Sequence, residues 1–206
     1  MMRSILMNSI RLLLIIMLSL ALIGCQQAED DTSDSKNTGS LNADQSKTKD
    51  WKLVKSEDKK LSLKVPQDWS VQTDDDIRLG PGKLFAVFGP EEGGYRTNIQ
   101  ISKETASRES LSSYINQFEV NSRKDEAIKD LKVREEGKVN VPFGEGYRKL
   151  YDFTLATDEE KMDLIFDALY VKVDDDFYVI QLVSTKNRSK RLEDVFENVL
   201  GTLNIK

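Results

Sequence analysis

The sequence predicts an α+β fold: an antiparallel β-sheet flanked by helices, placed behind an N-terminal signal and a polar linker. Three observations carry this. Between Leu131 and Ser184, four runs either alternate apolar and polar side chains or are apolar on both faces. Two other segments, Leu111–Phe118 and Leu192–Leu203, switch to helical spacing. Ahead of all of these stand a short apolar run and then a stretch nearly free of large aliphatic residues.

The apolar run comes first. Arg3 and Arg11 precede it without any acid, and Leu12–Ile23 is broken only by Ser19. A cationic start followed by an apolar segment of this length is the layout of a secretory signal. At 12 residues it falls short of the about 20 that a membrane-crossing helix needs. It ends in Leu22-Ile23-Gly24-Cys25, which resembles the lipobox of bacterial lipoproteins. The resemblance implies a diacylglyceryl group on the Cys25 thiol and cleavage between Gly24 and Cys25. Met1–Gly24 is then the leader, and Cys25, the only cysteine, the lipidated N-terminus. Two acyl chains hold a protein on a membrane where one does not. Removing the leader takes away two cations and no acid, so the net charge of −5 becomes −7. Charge gives this protein no attraction to anionic lipid, and its expected membrane contact is the lipid at Cys25.

Gln26–Asp50 is rich in Ser, Thr, Asp, Asn, Gln and Lys, with Leu41 its one large aliphatic residue. Such a segment buries too little apolar surface to offset its ordering entropy. Residues 25–50 are therefore expected to be a lipidated cysteine and a disordered linker. The acids Glu29, Asp30, Asp31 and Asp34 read as a solvated stretch. Trp51 opens the expected single domain, 51–206, of 156 residues. A domain of that size buries about 70% of its unfolded surface and needs no disulfide.

Within it, Leu61, Leu63 and Val65 alternate as a half-buried strand that Pro66 ends, and Trp69–Val71 resumes an extended chain. Asp74–Asp76 and Gly80–Gly82 read as turns. Leu84–Phe88 is a buried strand bounded by Gly89-Pro90, and Arg96–Ser102 puts Ile99 and Ile101 on one face. Leu111, Tyr114, Ile115 and Phe118 form a helix stripe, with Ser107 as the expected N-cap. Four strands follow: Leu131–Val141 with Gly137 as a bulge or bend, Tyr147–Thr157, Lys161–Val173 and Phe177–Ser184. The last two are apolar on both faces and belong at the sheet centre. Asp174–Asp176 turns one into the other, short enough to force antiparallel pairing. Leu192, Val195, Phe196, Val199, Leu200 and Leu203 make the second helix stripe, capped by Asn187 or Ser189, with Gly201 marking its C-terminal end.

Leu61-Ser62-Leu63-Lys64-Val65-Pro66-Gln67-Asp68-Trp69 is an alternating strand that ends in Pro-x-x-Trp. With the element order around it, the chain resembles the PsbP-like superfamily, which includes the photosystem II extrinsic P-subunit and the DcrB-like bacterial lipoproteins. The resemblance spans most of Trp51–Lys206. It implies a sandwich with a central antiparallel sheet, and an accessory, assembly or binding role without a shared catalytic motif. Trp69 reads as a structural residue at the core edge.

The residues exclude several chemistries. There is no His, which removes Ser-His-Asp and Cys-His catalysis and His-ligated metal sites. One Cys forms no internal disulfide. The mild acidic balance, 35 acids against 30 bases, lacks the basic footprint of nucleic-acid binding. Glu91-Glu92, Glu135-Glu136 and Asp158-Glu159-Glu160 are neighbours on strands or turns, not carboxylates held across a cleft. The triplets Asp74–Asp76 and Asp174–Asp176 match no calcium loop. Gly89–Gly94 carries two acids and enters a strand, so it is no phosphate cradle. It reads as a flexible hairpin loop which, with Tyr95 and Arg96, forms a candidate partner contact. Lys186, Arg188, Lys190 and Arg191 gather cations at a helix start, where they oppose its dipole.

The expectation is a lipid-anchored, extracytoplasmic, non-enzymatic accessory or binding protein of the bacterial cell envelope, facing an envelope protein or polymer, with no cofactor, no metal and no nucleic acid. Two alternatives stand beside it. An envelope hydrolase would show paired carboxylates across a cleft. A small-ligand carrier would show a large apolar pocket lined by Tyr or Trp between the sheet and a helix.

Overall fold

Strands that are apolar on both faces must be covered on both faces, and this governs the whole architecture. The computed structural model describes residues 39–41, 43–73, 82–105, 109–157, 160–187 and 190–206. In chain order the strands are β1 (Gly39–Ser40), β2 (Lys52–Lys55), β3 (Leu61–Val65), β4 (Ser70–Gln72), β5 (Lys83–Glu92), β6 (Tyr95–Thr105), β7 (Ile128–Val141), β8 (Gly144–Ala156), β9 (Lys161–Val173), β10 (Asp176–Thr185) and β11 (Asn204–Ile205). The helices are α1 (Leu111–Lys124) and α2 (Lys190–Gly201).

The main sheet runs β1-β7-β8-β9-β10-β6-β5-β4, and a small sheet runs β11-β3-β2. All pairings are antiparallel except β1 on β7. β9 and β10 sit at the centre, as their two-sided apolar pattern predicts. One face packs Ile99, Ile101, Leu169 and Ile180 against β3 and against Phe196 and Val199 of α2. The opposite face packs Tyr151, Phe153, Phe166 and Tyr170 under Leu111, Tyr114 and Ile115 of α1. This is the predicted antiparallel sheet flanked by helices. The small sheet adds to the cover on the α2 side.

Several details depart from the sequence reading. The N-cap of α1 is Ser110, whose Oγ accepts from the Ser113 N–H at 3.1 Å; Ser107 lies outside the described residues. β5 does not stop at Gly89-Pro90 but continues to Glu92. A bulge between Phe88 and Glu91 absorbs the proline, which has no N–H to give the ladder. The expected flexible loop is therefore strand plus a two-residue turn. Gly93 and Gly94, at φ +58° and +79°, supply the left-handed pair that such a turn requires. In β7 the register shifts lie at Lys129/Lys132 and Val133/Glu135, not at Gly137, which pairs normally with Arg148. Asp130, at φ +55°, makes the first of these bulges.

Part of the expected linker is folded. β1 pairs with β7, Leu41 packs on the α2-side core, and Thr48 is buried. The Asp44 N–H donates to Asn198 Oδ1 of α2 at 2.8 Å. Hydrogen bonds and one leucine order a segment that composition alone would leave unfolded. Trp69 is buried, as expected. Gly89 leaves room for it: a Cβ there would stand 2.7 Å from the indole ring.

Candidate functional site

At its N-terminal half α1 fits the sheet closely. Tyr114 stacks on Phe177 with ring centroids 4.5 Å apart, and meets Tyr170 edge-on. At its C-terminal half a pocket remains between helix and sheet. It measures about 600 Å³ counted out to solvent, and Tyr95, Phe118, Tyr151, Phe153, Phe166 and Gln181 are among its walls. The rings of Phe118 and Phe166 lie nearly parallel, 5.6 Å apart. Leu131, beside the Asp130 bulge of β7, lines it too, so the bend in this strand helps shape the opening.

The pocket has a polar strip. Gln181 is the one amide in an otherwise apolar run of β10, and it pairs across the sheet with Gln100 of β6. Gln181 Nε2 donates to Gln100 Oε1 at 3.2 Å, and Gln100 Nε2 donates to Asn98 Oδ1 at 3.1 Å. Asn98 Nδ2 donates to the Tyr95 hydroxyl at 3.0 Å and to the Arg96 carbonyl at 3.4 Å. All three amides are buried, and Gln181 Oε1 has no hydrogen-bond partner among the described residues.

Beside the pocket lies a charged cluster. Lys149 of β8 is 8% exposed and bonds Glu119 of α1 at 2.5 Å and Glu136 of β7 at 2.7 Å. The Tyr151 hydroxyl donates to Glu119 at 3.1 Å and lies 3.4 Å from that of Tyr170. Burial alone would lower the pKa of Lys149, but the two carboxylates outweigh it and hold the ammonium charged. Burial pushes Tyr95 up to about 12 against the opposing bond from Asn98, and also raises Tyr151 and Tyr170. These phenols stay protonated through the neutral range. The cluster holds α1 to the sheet, and its two carboxylates share the one lysine between them.

These groups predict an optimum in stability. Burial lowers Lys83 to about 8, below the about 10.4 of an unfolded lysine, so the unfolded chain binds more protons between those values. Stability should rise with pH there. Above about 10 the unfolded tyrosines ionise while the buried ones resist, so stability should fall. Urea midpoints from pH 7 to 11 should pass through a maximum between about 8 and 10. Lys83→Met should flatten the lower limb and stabilise the chain at pH 7 by about 1–2 kcal/mol.

The residues singled out from sequence are scattered. Gly24, Cys25, Asp74–Asp76, Asp158 and Glu159 lie outside the described residues. Arg96 is exposed, with Nε on the Gly89 carbonyl and its guanidinium over Phe88, but Tyr95 is only 4% exposed and turns into the pocket wall. The pair therefore does not form one contact surface. Glu135 and Glu136 are exposed, and Lys186 approaches Asp152 at 3.7 Å. Gln181, Gln100 and Asn98 were missed. Part of their signal was present in the sequence: Gln100 stands between Ile99 and Ile101, and Gln181 between Ile180 and Leu182.

No protein-family model matches the chain, and no curated protein does. Solved structures do. The cyanobacterial PsbP (CyanoP) of Synechocystis sp. PCC 6803 is similar at a TM-score of 0.53 and 12% identity, over 75% of this chain and 92% of that one. LpqN, involved in cell envelope biogenesis of Mycobacterium tuberculosis, is similar at 0.50 and 9%, over 76% and 86%. PA94 from Pseudomonas aeruginosa, a protein of unknown function, is similar at 0.50 and 15%, over 76% and 97%. At these identities the likeness is one of fold, and the fold is PsbP-like.

Proposed function

We propose that this chain is a lipid-anchored, extracytoplasmic accessory or binding protein of a bacterial cell envelope, and that its folded part binds its target without turning it over. The observation that carries the reading is the apolar run that ends in Leu22-Ile23-Gly24-Cys25 behind Arg3 and Arg11. Under it, Met1–Gly24 is removed, Cys25 carries the lipid, and the polar stretch from Gln26 to Thr38 joins the anchor to the fold. The PsbP-like fold, shared with an envelope-biogenesis protein, agrees with such a role. Among the described residues no helix is long and apolar enough to cross a membrane.

The test is acyl labelling of the expressed chain. The wild-type chain should incorporate labelled palmitate and pellet with membranes. Cys25→Ser should lose the label and run as a larger, unprocessed precursor. Normal processing and membrane retention of Cys25→Ser would overturn the reading.

A second reading, a small-ligand carrier, is favoured by the aromatic pocket under α1. The hydrolase alternative has less support, because Glu119 and Glu136 share Lys149.

A further inference from the structure

We infer that the pocket under α1 binds an uncharged, flat apolar molecule carrying one hydrogen-bond donor, and that Gln181 Oε1 accepts from that donor. The inference rests on the carrier reading and goes further by naming the ligand's chemistry.

The argument starts from a carbonyl that only accepts. The Arg96 carbonyl faces the Asn98 amide nitrogen, which fixes which end of Asn98 is Nδ2. Asn98 Oδ1 then faces Gln100, so Gln100 must present Nε2 to it and Oε1 to Gln181. Gln181 in turn must donate with Nε2, which leaves its Oε1 over. That oxygen belongs to a residue lining the pocket, is buried, and has no partner among the described residues. The strip has a direction, and it ends in an acceptor. A buried acceptor left without a donor is costly, so a ligand that supplies one is favoured over its apolar analogue. An anion is disfavoured, since it would bring a second acceptor into an apolar pocket that offers it no cation. The nearby Lys149 is already held by two carboxylates. Tyr95, Phe118, Tyr151, Phe153 and Phe166 line the pocket, and aromatic walls suit a flat apolar body.

The test uses the full chain in lipid nanodiscs, with empty nanodiscs as the blank. Three matched probes, 2-naphthol, naphthalene and 2-naphthoate, are compared by equilibrium dialysis at pH 7. Naphthol should bind about tenfold tighter than naphthalene, and naphthoate more weakly than either. Gln181→Leu should bring naphthol down to the level of naphthalene. Should that variant fail to fold, Gln100→Leu releases the Gln181 amide to rotate, and should erase the discrimination against naphthoate. If naphthalene binds the wild-type chain as tightly as naphthol, the role of Gln181 is overturned while the carrier reading survives. If none of the three binds, both fall.

Discussion

Replacing Arg148 by methionine is expected to destabilise the chain by about 3–5 kcal/mol, the cost of stripping one partner from a buried ion pair. Arg148 of β8 grips Asp167 of β9 with two parallel bonds of 2.8 Å each, and reaches Glu197 of α2 at 2.7 Å. Its guanidinium also lies 5.5 Å from the ring centre of Phe196, the fully buried aromatic of α2. One side chain thus ties two central strands to the helix that covers them. Burial works against its charge, but Asp167 and Glu197 more than restore it, so it remains an obligate cation. Asp167 is 1% exposed, and without the guanidinium its buried carboxylate loses the two charge-assisted bonds it accepts from Arg148. The double variant Arg148→Met, Asp167→Leu removes both charges and should recover most of the loss. Urea unfolding followed by the fluorescence of Trp51 and Trp69 reads all three chains. A loss under about 1 kcal/mol, or a double variant no better than the single, would show that the pair contributes only as an exposed bridge does.

The parts of the fold that announced themselves were those where burial alone sets the pattern. Phe177–Ser184 is apolar on alternate and intervening positions alike, and only a strand covered on both faces has that pattern. The two helices were legible because their stripes face single surfaces. What stayed hidden depends on hydrogen bonds or on neighbours distant in sequence. β2 is Lys-Leu-Val-Lys, with Leu53 exposed, and β11 is two residues long, so neither has a pattern to read. Residues 44–50 are polar throughout, yet Asp44 is fixed by Asn198, 154 positions away. Capping differed by three residues from the expected Ser107 because the helix starts at Leu111, its first buried position, so the serine just before it, Ser110, caps it. The pocket was invisible for another reason. Tyr151, Phe153 and Phe166 look the same in sequence whether they fill a core or line a cavity, and the difference lies in how far the C-terminal half of α1 stands from the sheet.

That distinction gives the second large expectation. Phe166→Ala should cost about 3–5 kcal/mol, the loss of a buried aromatic together with the space it leaves. The ring is 8% exposed, stacks on Phe118 of α1 and tilts against Tyr151 at 5.5 Å. Removing it takes away both an apolar contact that fastens α1 and one wall of the pocket. In a closed core such a variant would only be weaker. In a ligand pocket the larger cavity should also accept a larger apolar guest, and binding to the folded state alone raises stability by mass action. The thermal midpoint of Phe166→Ala should therefore rise with an added larger phenol, 2-hydroxyanthracene, by more than that of the wild-type chain. Phe196→Ala, cut into the opposite core, should suffer a similar loss without any such rise. Equal responses of the two variants would mean that the guest fills any hole made for it. A response confined to Phe166 would tie the cavity under α1 to binding.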